Sequence, residues 1–147
     1  MEGLDRLQVY CKAQELAKLI YQLVLPKMPH EEKYNLSSQM RRAAVSIPAN
    51  IAEGYGRYYY QETIRFCYLA RGSLMELSSH LQLAFDQGFL PNEMKSIFDE
   101  NLTDVHKLIQ GYVNYLKRSK RGSYEPRAQS ISENLLEYSL NLEDEDF

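Results

Sequence analysis

QMRRAAVSIPANIAEGYGR, residues 39–57, decides the fold. Starting just upstream, Leu36, Met40, Ala43, Ile47 and Ile51 recur every three or four residues, which sets them on one stripe of an α-helix. That stripe predicts a helix facing a core. Gln39, Arg42, Ser46, Asn50, Glu53 and Arg57 keep the same spacing on a neighbouring face, where Asn50 with Glu53, or Glu53 with Arg57, is placed to pair. Pro48 has no N–H for the carbonyl of Ala44, so a bend is expected near it, with Ser46 and Asn50 at hand for the freed group. Gly54 and Gly56 tolerate positive φ and predict the helix C-terminus. As a phosphate loop, Gly-Tyr-Gly lacks the further glycine spacing and a preceding strand.

Arginine usage around this stretch points to function. Residues 41–71 contain Arg41, Arg42, Arg57, Arg65 and Arg71, no lysine, and only Glu53 and Glu62 as carboxylates. Arginine suits forked contacts to phosphate or carboxylate, and Tyr55, Tyr58, Tyr59 and Tyr60 interleave stacking surfaces with the cations. A nucleic-acid surface is one reading. The other is a solvated or intersubunit face whose arginines pair with carboxylates.

Working outward, Val9, Ala13, Leu16, Ile20 and Leu23 predict a first helix over about 5–25, with Asp5 as N-cap and Pro26 and Pro29 at its end. The central helix begins near Asn35 or Ser37, either a possible cap. Cys67, Ala70, Leu74, Leu77, Leu81 and Ala84 predict a third helix over about 60–87, stopped by Gly88. Gly72 and Ser73 in its middle suggest close approach by a neighbouring helix. Met94, Phe98, Leu102, Val105, Ile109, Tyr112 and Leu116 predict a fourth, opening at Pro91 and running to about 118. It ends in KRSKR, residues 117–121; Lys117, Arg118, Lys120 and Arg121 suit the negative end of a helix dipole and are also candidate nucleic-acid contacts. Past Gly122, Ile131, Leu135, Tyr138 and Leu142 suggest a short fifth helix. Alone it is marginal, so it either docks on the bundle, a neighbouring subunit or another protein, or stays unfolded.

The expected architecture is all-α, an up-down-up-down four-helix bundle over residues 1–118 followed by an acidic tail over 119–147. The net charge of −3 divides unevenly: fourteen basic and thirteen acidic side chains in residues 1–118, three and seven in the tail. A near-neutral body argues against strong non-specific nucleic-acid binding by a monomer, although oligomerisation would concentrate the arginine face. Cys11 and Cys67 fall inside amphipathic patterns without a partner motif, and read as reduced thiols of a cytoplasmic protein. No run approaches the ~20 apolar residues that span a bilayer, so no membrane association is expected. His30 and His80 read as polar-face residues, and His106 has no neighbour at metal-ligand spacing. No metal, cofactor or catalytic constellation is expected, and the chain reads as non-enzymatic.

LQVYCKAQELAKLIYQLV, YNLSSQMRRAAVSIPANIAEGYGR and RFCYLARGSLMELSSHLQLAFDQGFL together resemble the bacterial 23S rRNA intervening-sequence (four-helix-bundle) protein family over about residues 4–118. The resemblance implies a homo-oligomer, a ring-forming homopentamer. The family motif falls on Arg41, Arg42, Ser46, Pro48, Asn50, Glu53, Gly54, Gly56 and Arg57, with Ser46 to Gly56 implied as structural or oligomer contacts and none as catalytic. A more distant likeness in fold and size links the chain to the accessory variability determinant of diversity-generating retroelements. That likeness implies RNA or DNA, or a reverse transcriptase, as partner. An adaptor of this kind and a structural or protein-interaction ring without nucleic-acid binding are both expected readings.

Overall fold

The computed structural model describes residues 3–119. The expected fifth helix, the acidic tail, Lys120 and Arg121 lie outside the described residues. Four helices form the structure: α1 (Gln8–Leu19), α2 (Leu36–Tyr55), α3 (Tyr60–Asp86) and α4 (Lys95–Arg118), with no strand among the described residues. Each of the pairs α1–α2, α2–α3, α3–α4 and α1–α4 is in contact, so the helices enclose one core, and α2 with α3 is the most extensive pairing.

All five residues of the central apolar stripe are buried, with Ala44 and Pro48 beside them. α2 runs without interruption through Pro48. Asn50 Nδ2 donates to the carbonyl and hydroxyl of Ser46, at 2.8 and 3.0 Å, rather than to the Ala44 carbonyl. Neither expected cap begins α2 with its side chain: the carboxylate of Glu32 accepts from the Leu36 N–H at 3.1 Å and the Asn35 amide at 3.0 Å. A carboxylate one turn upstream reaches an N-terminal N–H left open by helix geometry.

Asp5 lies in a short 3-10 turn (Leu4–Arg6), so α1 starts later than expected and Leu7 takes the N-cap position without a side-chain bond. The last turn of that helical run is a π-helical turn (Ile20–Val24), followed by a 3-10 turn (Leu25–Lys27). The wider turn advances the core register by one residue, so Val24 is fully buried where Leu23 was expected. α4 is likewise preceded by a 3-10 turn (Asn92–Met94) with Pro91 outside it, and Val113 joins a core stripe in which Leu102 and Tyr112 are only partly buried.

The glycines depart furthest from expectation. Gly54 lies within the helix and Gly56, its C-cap, has φ −76°, so neither uses a positive φ. Gly54 instead permits contact: a Cβ there would stand 2.8 Å from Phe66 Cβ and 3.1 Å from the Thr63 carbonyl. A Cβ at Gly72 would meet nothing within 4 Å, so the close approach expected at mid-α3 falls on Ser73, whose Oγ is 2.8 Å from Ser46 Oγ on α2, and not on Gly72. Gly88 does stop α3, at φ +74°. Its N–H donates to the Phe85 carbonyl and that of Phe89 to the Ala84 carbonyl, the paired bonds of a Schellman C-cap.

Two glycine-to-alanine changes should therefore act in opposite directions. Gly54→Ala overpacks the α2–α3 contact and is expected to destabilise by about 1–3 kcal/mol. Gly72→Ala removes backbone freedom at an open site and is expected to stabilise by about 0.5–1 kcal/mol. Thermal melts of both variants check this; a lowered Tm for Gly72→Ala would mean that another surface packs there.

Candidate nucleic-acid interface

Where α2 hands over to α3, the Thr63 hydroxyl donates to the Gly54 carbonyl at 2.8 Å and holds the two helix ends together. The chain between them displays Tyr58 and Tyr59 as an edge-to-face pair with centroids 4.9 Å apart, Tyr58 being 86 % exposed. Arg57 sits beside them. Its Nη2 is 2.7 Å from Glu53 Oε1, its Nη1 4.0 Å from Glu62 Oε1, and its guanidinium lies 4.8 Å from the centre of the Phe66 ring.

The start of α1 and the end of α4 arrive at this same place. Gly3, Arg6, Tyr55, Arg57, Tyr112 and Tyr115 are among the residues lining a cavity of about 340 Å³. Lys117 and Arg118 occupy the exposed last turn of α4, where the helix carbonyls accumulate negative potential. Partial desolvation lowers the Lys117 ammonium below its ordinary pKa. Burial, followed by nearby Cys67 and tyrosines, raises the Tyr112 phenol, so the inner wall of the cavity is a neutral ring. The Glu53–Arg57 pair is exposed on both sides and holds at most about 1 kcal/mol. The five N–H donors of a guanidinium leave Arg57 able to engage a phosphate beside or in place of a carboxylate.

The cavity brings Arg57 together with Arg6, which lies outside the arginine-rich window, whereas Lys117 and Arg118 follow the lining residue Leu116 on α4 and are not among the residues that line it. Arg65 is exposed on α3, about 8 Å along the helix axis from Tyr60. The remaining arginines are elsewhere. Arg42 donates to Gln39 Oε1 at 2.9 Å and to Glu76 Oε1 on α3. Glu76 in turn lies 3.5 Å from His80 Nε2, a buried atom with no hydrogen bond of good geometry. Arg71 approaches Gln110 Oε1 at 3.5 Å and the Tyr68 ring at 5.8 Å. Burial, then the charge of Arg71, lowers the pKa of His106. Arg41 lines a separate cavity with His30 and Ser37.

Ser46, Asn50 and Glu53 belong to the α2–α3 seam and to α2 itself: Ser46 Oγ and Ser73 Oγ are 2.8 Å apart, and Glu53 pairs with Arg57. Asn50 does not pair with Glu53, since its amide turns back to Ser46. Among the described residues no group of three His, Cys, Asp or Glu is placed to hold a metal ion, and no helix is long and apolar enough to cross a membrane.

The family model described as 23S rRNA-intervening sequence protein matches residues 5–111. No curated protein matches the chain. Tyr112, Tyr115, Lys117 and Arg118, the α4 part of the candidate interface, follow the matched stretch.

The two thiols provide a check on this end of the bundle. Cys67 is fully buried, and burial pushes its pKa up to about 12, so its thiol is protonated at pH 8 while the fold holds. Cys11 is partly exposed, with its Sγ 3.1 Å from the Asp5 carbonyl. Alkylation at pH 8, followed by peptide mass spectrometry, is expected to modify Cys11 and to reach Cys67 only in denaturant. Equal labelling of both thiols under native conditions would contradict the packing.

Proposed function

The chain belongs to the 23S rRNA-intervening sequence protein family, and we propose that it is a non-enzymatic, oligomeric helical-bundle adaptor whose tyrosine-rich end binds nucleic acid. The observation that carries this reading is that Arg6 and Arg57 line one tyrosine-rich cavity at an end of the bundle, with Lys117 and Arg118 on the last turn of α4 directly after the lining residue Leu116. Phosphates are met by the cations, and unstacked bases find π-faces on Tyr58, Tyr59 and Tyr115. One copy presents few cations, and Glu53 and Glu62 offset Arg57. A homopentamer, as the family resemblance implies, repeats the end five times and raises affinity through multivalency. The partner is RNA or DNA, alone or in company with a nucleic-acid enzyme such as a retroelement reverse transcriptase, in the cytoplasm.

A second reading, a protein-interaction ring without nucleic acid, draws support from two features. Arg42 and Arg57 are already paired with carboxylates of their own chain, and Leu69, Met75 and Leu83 on α3 are each about half exposed. Apolar side chains left open along one helix are what a partner subunit or protein covers.

Binding to mixed-sequence RNA and to a DNA duplex, measured at low and physiological salt with the solution mass determined alongside, separates the two readings. The adaptor reading expects an oligomer whose affinity falls steeply with salt. Replacing Arg57, Lys117 and Arg118 together by alanine should then reduce the duplex salt slope by about 2–3. Lys95→Ala, at the start of α4 and held by Asp99, should leave it unchanged. An oligomer that binds neither nucleic acid would sink the adaptor reading in favour of the protein-interaction ring.

A further inference from the structure

A second cationic site lies where the connection from α1 meets the start of α2. Arg41, Lys33 and His30 line a cavity of about 270 Å³ with apolar walls from Leu25 and Met28, and no carboxylate lines it. Ser37 also lines it. The residue as a whole is only 5 % exposed, and its hydroxyl, which is not sealed from the cavity, makes no hydrogen bond among the described residues.

The first turn of α2 adds donors. Glu32 takes the Leu36 N–H and the Asn35 N–H bonds to the Glu32 carbonyl, whereas the N–H groups of Ser37 and Ser38 have no acceptor among the described residues. These N–H groups sit at the positive end of the helix dipole. Arg41 has no hydrogen bond or ion pair among the described residues, and the Lys33 ammonium lies 5.3 Å from the centre of its neighbour Tyr34. Glu31 and Glu32 share the short 3-10 turn with His30 without lining the cavity, and the Glu32 Oε2 is turned to Asn35 and Leu36.

The geometry points to a phosphate-binding site in this cavity, in which Arg41 and Lys33 supply charge and the Ser37 hydroxyl with the first-turn N–H groups of α2 supplies directed hydrogen bonds. This open pocket has room for a terminal phosphate, and the paired cations Arg41 and Lys33 match the two charges of a dianionic monoester better than the single charge of a bridging phosphodiester. The monoester can come from a small metabolite or from the 5′ end of a nucleic acid. The site stands apart from the tyrosine-rich end and does not depend on it.

Titration of the full chain with inorganic phosphate, followed by ¹H–¹⁵N spectra, tests the site. Saturable shifts of the Ser37 and Ser38 amides are expected, with affinity weakened at least about tenfold in Arg41→Ala and unchanged in Lys27→Ala, a neighbouring surface cation outside the cavity. Lys33→Ala, at an exposed position, provides a second weakening variant should Arg41→Ala disturb the fold. Competition then identifies the source. Displacement of phosphate by a 5′-phosphorylated oligonucleotide, but not by its 5′-hydroxyl counterpart, supports the site and assigns it to nucleic-acid ends; displacement by glycerol 3-phosphate supports it and assigns it to small monoesters. Absence of saturable shifts, an equal response to chloride, or full binding by both Arg41→Ala and Lys33→Ala would overturn the proposal.

Discussion

The bundle depends on the contact between the end of α2 and the start of α3. Only a residue without Cβ lets Phe66 and the Thr63 backbone come so near Gly54. Thr63 then satisfies a carbonyl that a helix C-terminus leaves open. Because the axes are held close at one end, the side chains that meet further along are short, as in the 2.8 Å contact between Ser46 and Ser73. α2 and α3 act as a stiff pair, and α1 and α4 pack against it around the shared core.

The apolar periodicity of each helix was legible because burial repeats with the helical period, and Leu36 to Ile51 and Cys67 to Ala84 fall inside as their spacing requires. What was not legible depends on contacts between distant residues. Gly54 and Gly72 look alike in sequence; the fold leaves the first against another helix and the second in the open. Glu32 was hidden as a cap because it acts from a turn whose shape could not be read beforehand. Val24 took the place of Leu23 because a single wider turn shifts the phase, and no apolar pattern separates two adjacent aliphatic residues.

The candidate site was legible in residue type and not in placement. Five arginines within thirty-one residues form one cluster on paper, but helices about 30 Å long spread them along the molecule. Arg42 faces Glu76, Arg71 approaches α4, Arg41 lines a cavity by the α1–α2 connection, and only Arg57 is drawn directly into the tyrosine-rich end. Arg6 could have been found by asking which helix ends meet in a four-helix bundle. Local composition does not pose that question.

The π-helical turn at Ile20–Val24 gives the molecule a mechanical property of its own. It spends an extra residue while advancing the chain little, and so works as a phase adjuster between α1 and the connection beyond it. In a regular α-helix each residue turns the chain by about 100°. One residue fewer in this turn would therefore leave the helix almost as long and rotate everything after it, including the Leu25 and Met28 wall, by roughly that angle. The position of that wall is set by how the preceding helix is wound, so a length change of one residue there would be felt before any change in what the wall is made of.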